Sequence, residues 1–142
     1  MIGVSPYISF KGNCQEAIDF YTNALDAQVL FSQKWGETPH SAPGMDDKIM
    51  HATVKIGDSR IMMCDLPDSQ VATGGNISLA IGLNDVPKTR EMFDKMSDGA
   101  NITMPLDKTF WAESFGMLTD KFGISWMFNC ENPQSDHSKA TA

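Results

Sequence analysis

The chain is poor in cysteine and positive charge, and has no long apolar run. It carries 3 Cys in 142 residues, at Cys14, Cys64 and Cys130. No Cys-x-x-Cys pair is present, which excludes a zinc ribbon and a thioredoxin-like redox motif. The odd, scattered set also excludes a disulfide framework and suits a reducing compartment, so a cytoplasmic location is expected. Lys and Arg total 11 against 18 Asp and Glu, a net charge of -7. Nucleic acid and anionic membrane both need a basic face, so neither is expected as a partner. No apolar stretch approaches membrane-spanning length. The opening Met1-Ile2-Gly3-Val4-Ser5-Pro6-Tyr7 has no basic region followed by an apolar one, so no signal peptide is expected. Gly74-Gly75 is not followed by a phosphate-binding helix and reads as a flexible connector.

What is present is a globular pattern, 42% hydrophobic, of a length that makes one domain with a sizeable core. Residues 7–10 read as a strand. Asn13 is an N-cap with Glu16 three residues on, as in a capping box. Ala17, Phe20, Tyr21 and Ala24 then fall on one helical face, and the helix stops near Asp26. Residues 29–35 read as a strand and 36–47, which holds Pro39, Pro43 and Gly44, as a loop. Met50, Ala52, Val54 and Ile56 alternate with His51, Thr53 and Lys55, a half-buried strand that Gly57-Asp58 turns into a partner over 60–64. The order then repeats. Residues 77–83 are a strand, Asp85 caps a helix with Pro87 in its first turn, and Val86, Thr89, Phe93 and Met96 form the inner face. Asp98-Gly99 ends that helix. Residues 102–106 are a strand, 110–113 a loop, and 115–118 and 124–128 strands joined through Phe122-Gly123.

The expected fold is therefore α+β, two βαβββ modules offset by roughly 70 residues, as in an internal duplication. Module one spans about 1–66, module two about 76–130, within a single domain 1–130, and 131–142 is a polar tail. Each module has a helix on one sheet face, and pairing the two would curl the free faces around a cavity.

The aromatic end, Asp107-Lys108-Thr109-Phe110-Trp111 followed by Phe115-Gly116-Met117-Leu118-Thr119-Asp120-Lys121-Phe122-Gly123-Ile124-Ser125-Trp126-Met127, resembles the signature of PhnB-like proteins. These are a 3-demethylubiquinone methyltransferase-like branch of the vicinal-oxygen-chelate superfamily, alongside glyoxalases, bleomycin-resistance proteins and dioxygenases. The opening Ser5-Pro6-Tyr7-Ile8-Ser9-Phe10 with Gly12-Asn13 and Glu16-Ala17 is similar to the family's, as are Phe20-Tyr21 and Asp47-Lys48-Ile49-Met50-His51-Ala52 with Ile56-Gly57-Asp58. The resemblance covers nearly all of residues 4–130. It implies paired βαβββ modules, a homodimer and a small-molecule ligand. It also implies four strand positions that carry His or Glu in metal-using relatives. Strand parity sets these on Ser5 or Pro6, Met62, Ser78 and Met127. Hydroxyls and thioethers are poor ligands for Zn, Mn or non-haem Fe, so no metal and no cofactor is expected, with Asp65 the nearest alternative ligand. A metal-dependent glyoxalase- or dioxygenase-type enzyme and a drug-sequestering resistance protein stand as the other readings. The methyltransferase label finds no Gly-rich strand-to-helix turn here to support it.

His51 is the candidate catalytic residue. It shares a strand face with Thr53, where an imidazole can exchange a proton near neutral pH; the competing reading is a structural His bonded across strands. His40 and His137 read as solvated. The expected ligand-binding set is Gln33, Trp35, His51, Thr53, Met62, Phe110, Trp111, Met127 and Asn129. Phe110-Trp111, with Glu113 near, either wall a pocket opposite Trp35 and Gln33 or fill a core or dimer seam. Trp126 and Phe128 are assigned to the helix-packed face, Met127 and Asn129 to the other. Met62 and Met127 would give an adaptable lining. Cys64 is either a buried inert thiol or a nucleophile served by His51.

Overall fold

A computed structural model describes residues 2–72 and 74–131. The chain folds as two units, 1–73 and 74–142, each with its own core. The first has β1 (Tyr7–Phe10), α1 (Cys14–Leu25), β2 (Gln28–Lys34), β3 (Ile49–Ile56) and β4 (Ser59–Asp65). The second has β5 (Leu79–Leu83), α2 (Val86–Met96), β6 (Asn101–Asp107), β7 (Ala112–Thr119) and β8 (Ser125–Glu131). The sheets share one topology, β1-β4-β3-β2 and β5-β8-β7-β6. The first and last strands of each unit run parallel and all other pairs antiparallel. This is the α+β arrangement of two βαβββ modules that the repeated element order predicts.

Each helix covers one face of its own sheet. α1 lies on β3 and β4, α2 on β7 and β8. Ala17, Ile18, Tyr21 and Leu25 are buried against Phe10, Ala52, Val54, Ile61 and Met63. In the second unit Thr89, Phe93 and Met96 are buried with Leu118, Trp126 and Phe128, and the Phe93 and Phe128 rings meet edge to face at 5.4 Å. β7 alternates strictly between buried and half-buried residues, as a strand with one covered face must. Gly116 takes a buried place because α2 and β6 come so close. A Cβ there would lie 2.8 Å from Phe93 Cε2 and 2.9 Å from the Leu106 Cα. Among the described residues no helix is long and apolar enough to cross a membrane.

Several local expectations are corrected. Asn13 precedes α1 but makes no side-chain cap bond. The amides of Gly12 and Cys14 are instead taken by Asp65 Oδ1, at 3.0 and 2.9 Å, a carboxylate delivered by β4. Trp35 leaves β2 for a 3-10 turn, because its amide bonds the Lys48 carbonyl and its indole bonds the Asp65 carbonyl. β5 starts at Leu79, not at 77, since its first register partner on β8 is Trp126. Val86, the first residue of α2, stays 43% exposed and is not on the inner face. β7 starts at Ala112, where Thr109 folds back to exchange bonds with the strand: its amide donates to the Ala112 carbonyl, and its hydroxyl accepts from the Ala112 amide. Glu131, expected in the tail, ends β8. The rest of the tail call, with His137, lies outside the described residues.

Candidate functional site

The helix-free face of the first sheet gathers the polar groups. Register sets Tyr7 beside Met62, Met62 beside Thr53, Thr53 beside Phe31 and His51 beside Gln33. Partnered residues point to the same side, so the other five share the face of His51. His51 Nδ1 lies 3.1 Å from the Tyr7 hydroxyl, and Nε2 lies 3.2 Å from Thr53 Oγ1. Both ring nitrogens are thus engaged, and the imidazole is fixed in plane. Its ring centroid lies 5.7 Å from that of Tyr7 and 6.0 Å from that of Phe31, both tilted. Tyr7 and Phe31 are each 50% exposed, so aromatic surface flanks the imidazole.

Cys64 extends the row. It is buried on β4 next to Ser9, with Ser9 Oγ 3.7 Å from its sulfur. Burial of the Tyr7 hydroxyl, then the charge and hydrogen bond of Cys64, then the charge of Cys14, push Tyr7 from 10.0 up to about 12. Tyr7 therefore stays protonated at neutral pH and can hand a proton along only by exchange. Burial first, then Asp65 and Cys64, also raise the Cys14 thiol well above its ordinary range, so it is inert.

Of the sequence-selected residues, Gln33, His51, Thr53 and Met62 come together on this face. Trp35 is in the same unit, but its Nε1 donates to the Asp65 carbonyl at 3.0 Å, which ties it to the strand end. In the second unit Met127 and Asn129 sit on the face opposite Trp126 and Phe128, beside Met117 and Phe115. Trp111 is edge-on to Phe115 at 5.4 Å and to Phe110 at 4.8 Å, and Phe110 is 90% exposed. His40 is exposed in its loop. Tyr7 and Ser9 were missed by the sequence reading. Their shared parity on β1 was visible, but their place beside β4 was not.

The sequence profile of the Glyoxalase/Bleomycin resistance protein/Dioxygenase superfamily matches residues 4–128. The chain belongs to that superfamily. Protein YjdN of Escherichia coli K12 is 39% identical over 142 residues, covering 92% of this chain and 97% of its own. The crystal structure of PA1353 from Pseudomonas aeruginosa is 34% identical, covers 92% of this chain and 98% of its own, and superposes with a TM-score of 0.83. A PhnB protein from Bacillus cereus, 24% identical over 91% of this chain and 99% of its own, shares the fold with a TM-score of 0.76. The resemblance read from the sequence motifs is borne out by the superfamily match and this shared fold.

The four strand positions that hold metal in metal-using relatives can be tested against the geometry. Ser5 and Ser78 are exposed and lie outside β1 and β5. In register, Tyr7 flanks Met62 and Ala80 flanks Met127. Hydroxyl, phenol and thioether donors are poor ligands for Zn, Mn or non-haem Fe. Asp65 does not supply the missing carboxylate. It is 1% exposed, and its oxygens accept from the amides of Gly12, Cys14 and Ile49. Among the described residues no three His, Cys, Asp or Glu side chains form a metal-binding group.

Proposed function

We propose that the protein binds a small organic molecule on the helix-free face of its first sheet, with His51 as the polar anchor and no metal required. The observation that carries this is the imidazole held at both nitrogens, between Tyr7 and Thr53, amid half-exposed aromatic rings. A small-molecule site commonly combines an apolar wall with a few placed polar groups. A ligand acidic enough to give up a proton near neutral pH would find its acceptor in His51, with Thr53 or Tyr7 releasing one nitrogen. A second reading is sequestration of a planar compound without turnover. The Tyr7 and Phe31 rings favour it, since stacking needs flat exposed surface. The protein acts as a homodimer in the cytoplasm, where its three free cysteines stay reduced.

The test uses 8-anilinonaphthalene-1-sulfonate as the probe, with fluorescence for binding and thermal melts for stability. His51→Ala should weaken dye binding about tenfold, the size of one lost charge-assisted hydrogen bond, and shift the melting temperature little. A large drop in melting temperature with binding intact would show that His51 is structural. Turnover of no compound that binds would favour sequestration over catalysis. Light scattering of the purified chain should give a dimer mass, and a monomer mass at all concentrations would overturn that part.

A further inference from the structure

The second unit carries a feature of its own. An open hollow of about 380 Å³ is bordered by Gly82, Leu83, Asn84, Asn129 and Glu131. β5 and β8 run parallel here, with Gly82 beside Asn129. A Cβ built on Gly82 would meet nothing within 4 Å, so the backbone next to Asn129 lies uncovered. Asn129 Oδ1 is buried without a hydrogen-bond partner, the one such side-chain atom among the described residues. Buried acceptors are nearly always paired, so this one has a cause to be found.

An Asn amide turns about χ2 in a broad well at little cost. Asn129 can therefore present Oδ1 to a molecule seated in the hollow it borders. The lining decides what that molecule brings. It contains the Glu131 carboxylate and neither Lys nor Arg, so an anion would be repelled. The net charge of -7 raises the local concentration of cations. Leu83 offers an apolar contact for a carbon frame.

We infer that this hollow is a binding site for a compact organic cation, an amidinium or a primary ammonium on a small apolar body. An N–H donates to Asn129 Oδ1, and the Glu131 carboxylate supplies the counter-charge. Every residue of its lining belongs to the second unit.

The experiment titrates the isotope-labelled full chain with benzamidinium chloride and, separately, with benzamide, its neutral counterpart of the same shape. The Gly82 backbone and Asn129 side-chain resonances report the site. Benzamidinium should give saturable shifts at an affinity about tenfold above benzamide, the gain of a charge-assisted bond. Glu131→Gln should erase most of that preference. Asn129→Leu should weaken benzamidinium about tenfold without lowering the melting temperature, because it removes an orphaned acceptor. His51→Ala should leave the titration unchanged, so failure here and failure of the proposed function are told apart. Absence of saturable shifts, equal binding of the two probes, or full affinity in both site variants would overturn the inference.

Discussion

Asp65 shows how one side chain can look like surface in a sequence and be central in the fold. It follows a strand and precedes a Pro-containing loop, the usual setting of a solvated carboxylate. In the structure it holds three backbone amides from three places, Gly12, Cys14 and Ile49, at 2.9–3.0 Å. Asp120 plays a like part in the second unit, accepting from the amides of Phe122 and Ile124 and from the Trp126 indole. The Asp65 role was not legible, because its partners come together only on folding, whereas those of Asp120 lie two to six residues along its own turn. Asp65→Ala would leave three buried N–H groups unpaired and should cost about 3 kcal/mol or more by chemical denaturation. His51 with Thr53 was legible, since two residues apart on a strand means one face. Tyr7 was not, and its titration is the sharper test of that face. Its folded pKa is raised, so its neutral hydroxyl contributes stability in full below pH 10.0, lost as pH rises toward about 12. The phenolate absorbance missing from Tyr7→Phe but present in the native chain should therefore appear near pH 12; appearance near 10 would show a freely solvated hydroxyl.

At the scale of elements, the two helices start by different means although the sequence offers each a good cap. Asp85 does what its residue type suggests, accepting from the Lys88 amide at 2.9 Å. Asn13 does not; the carboxylate at this helix start is Asp65 from β4, which accepts from the flanking Gly12 and Cys14 amides. Asp85→Ala should thus cost about 1 kcal/mol, the usual value of a lost N-cap. Asn13→Ala should stay within about 0.5 kcal/mol, as surface substitutions do. Equal losses in urea titrations of the two variants would show that the Asn13 side chain caps in solution after all. Periodicity found α1, α2, β3 and β7 because each has one covered face. It erred at ends such as Ile77, Val86 and Ala112, where a register partner or a folded-back hydroxyl decides. A local pattern carries no information on either.

At the scale of the whole molecule, the duplication was legible as an order of elements while the residues of the two halves hardly agree. A βαβββ unit needs a covered face, a turn and a parallel closing strand, and many sequences satisfy those needs. Such freedom explains how chains of very different sequence can share this fold. Shared architecture therefore does not carry chemistry across, and the metal question must be answered from donors. In this chain the candidate positions hold Met62 and Met127 with hydroxyl or methyl neighbours, and the nearest carboxylate is occupied by three amides. A divalent metal there would give up water for thioethers, a losing exchange for a hard or borderline ion. Elemental analysis of protein purified without chelator should find far less than one Zn, Mn, Fe or Ni per chain, and added Mn or Zn should leave the melting temperature where it was. One tightly held metal per chain, lost on Met62→Ala or Met127→Ala, would place the ligands at the positions rejected on chemical grounds and return the protein to the metal-dependent members of its superfamily.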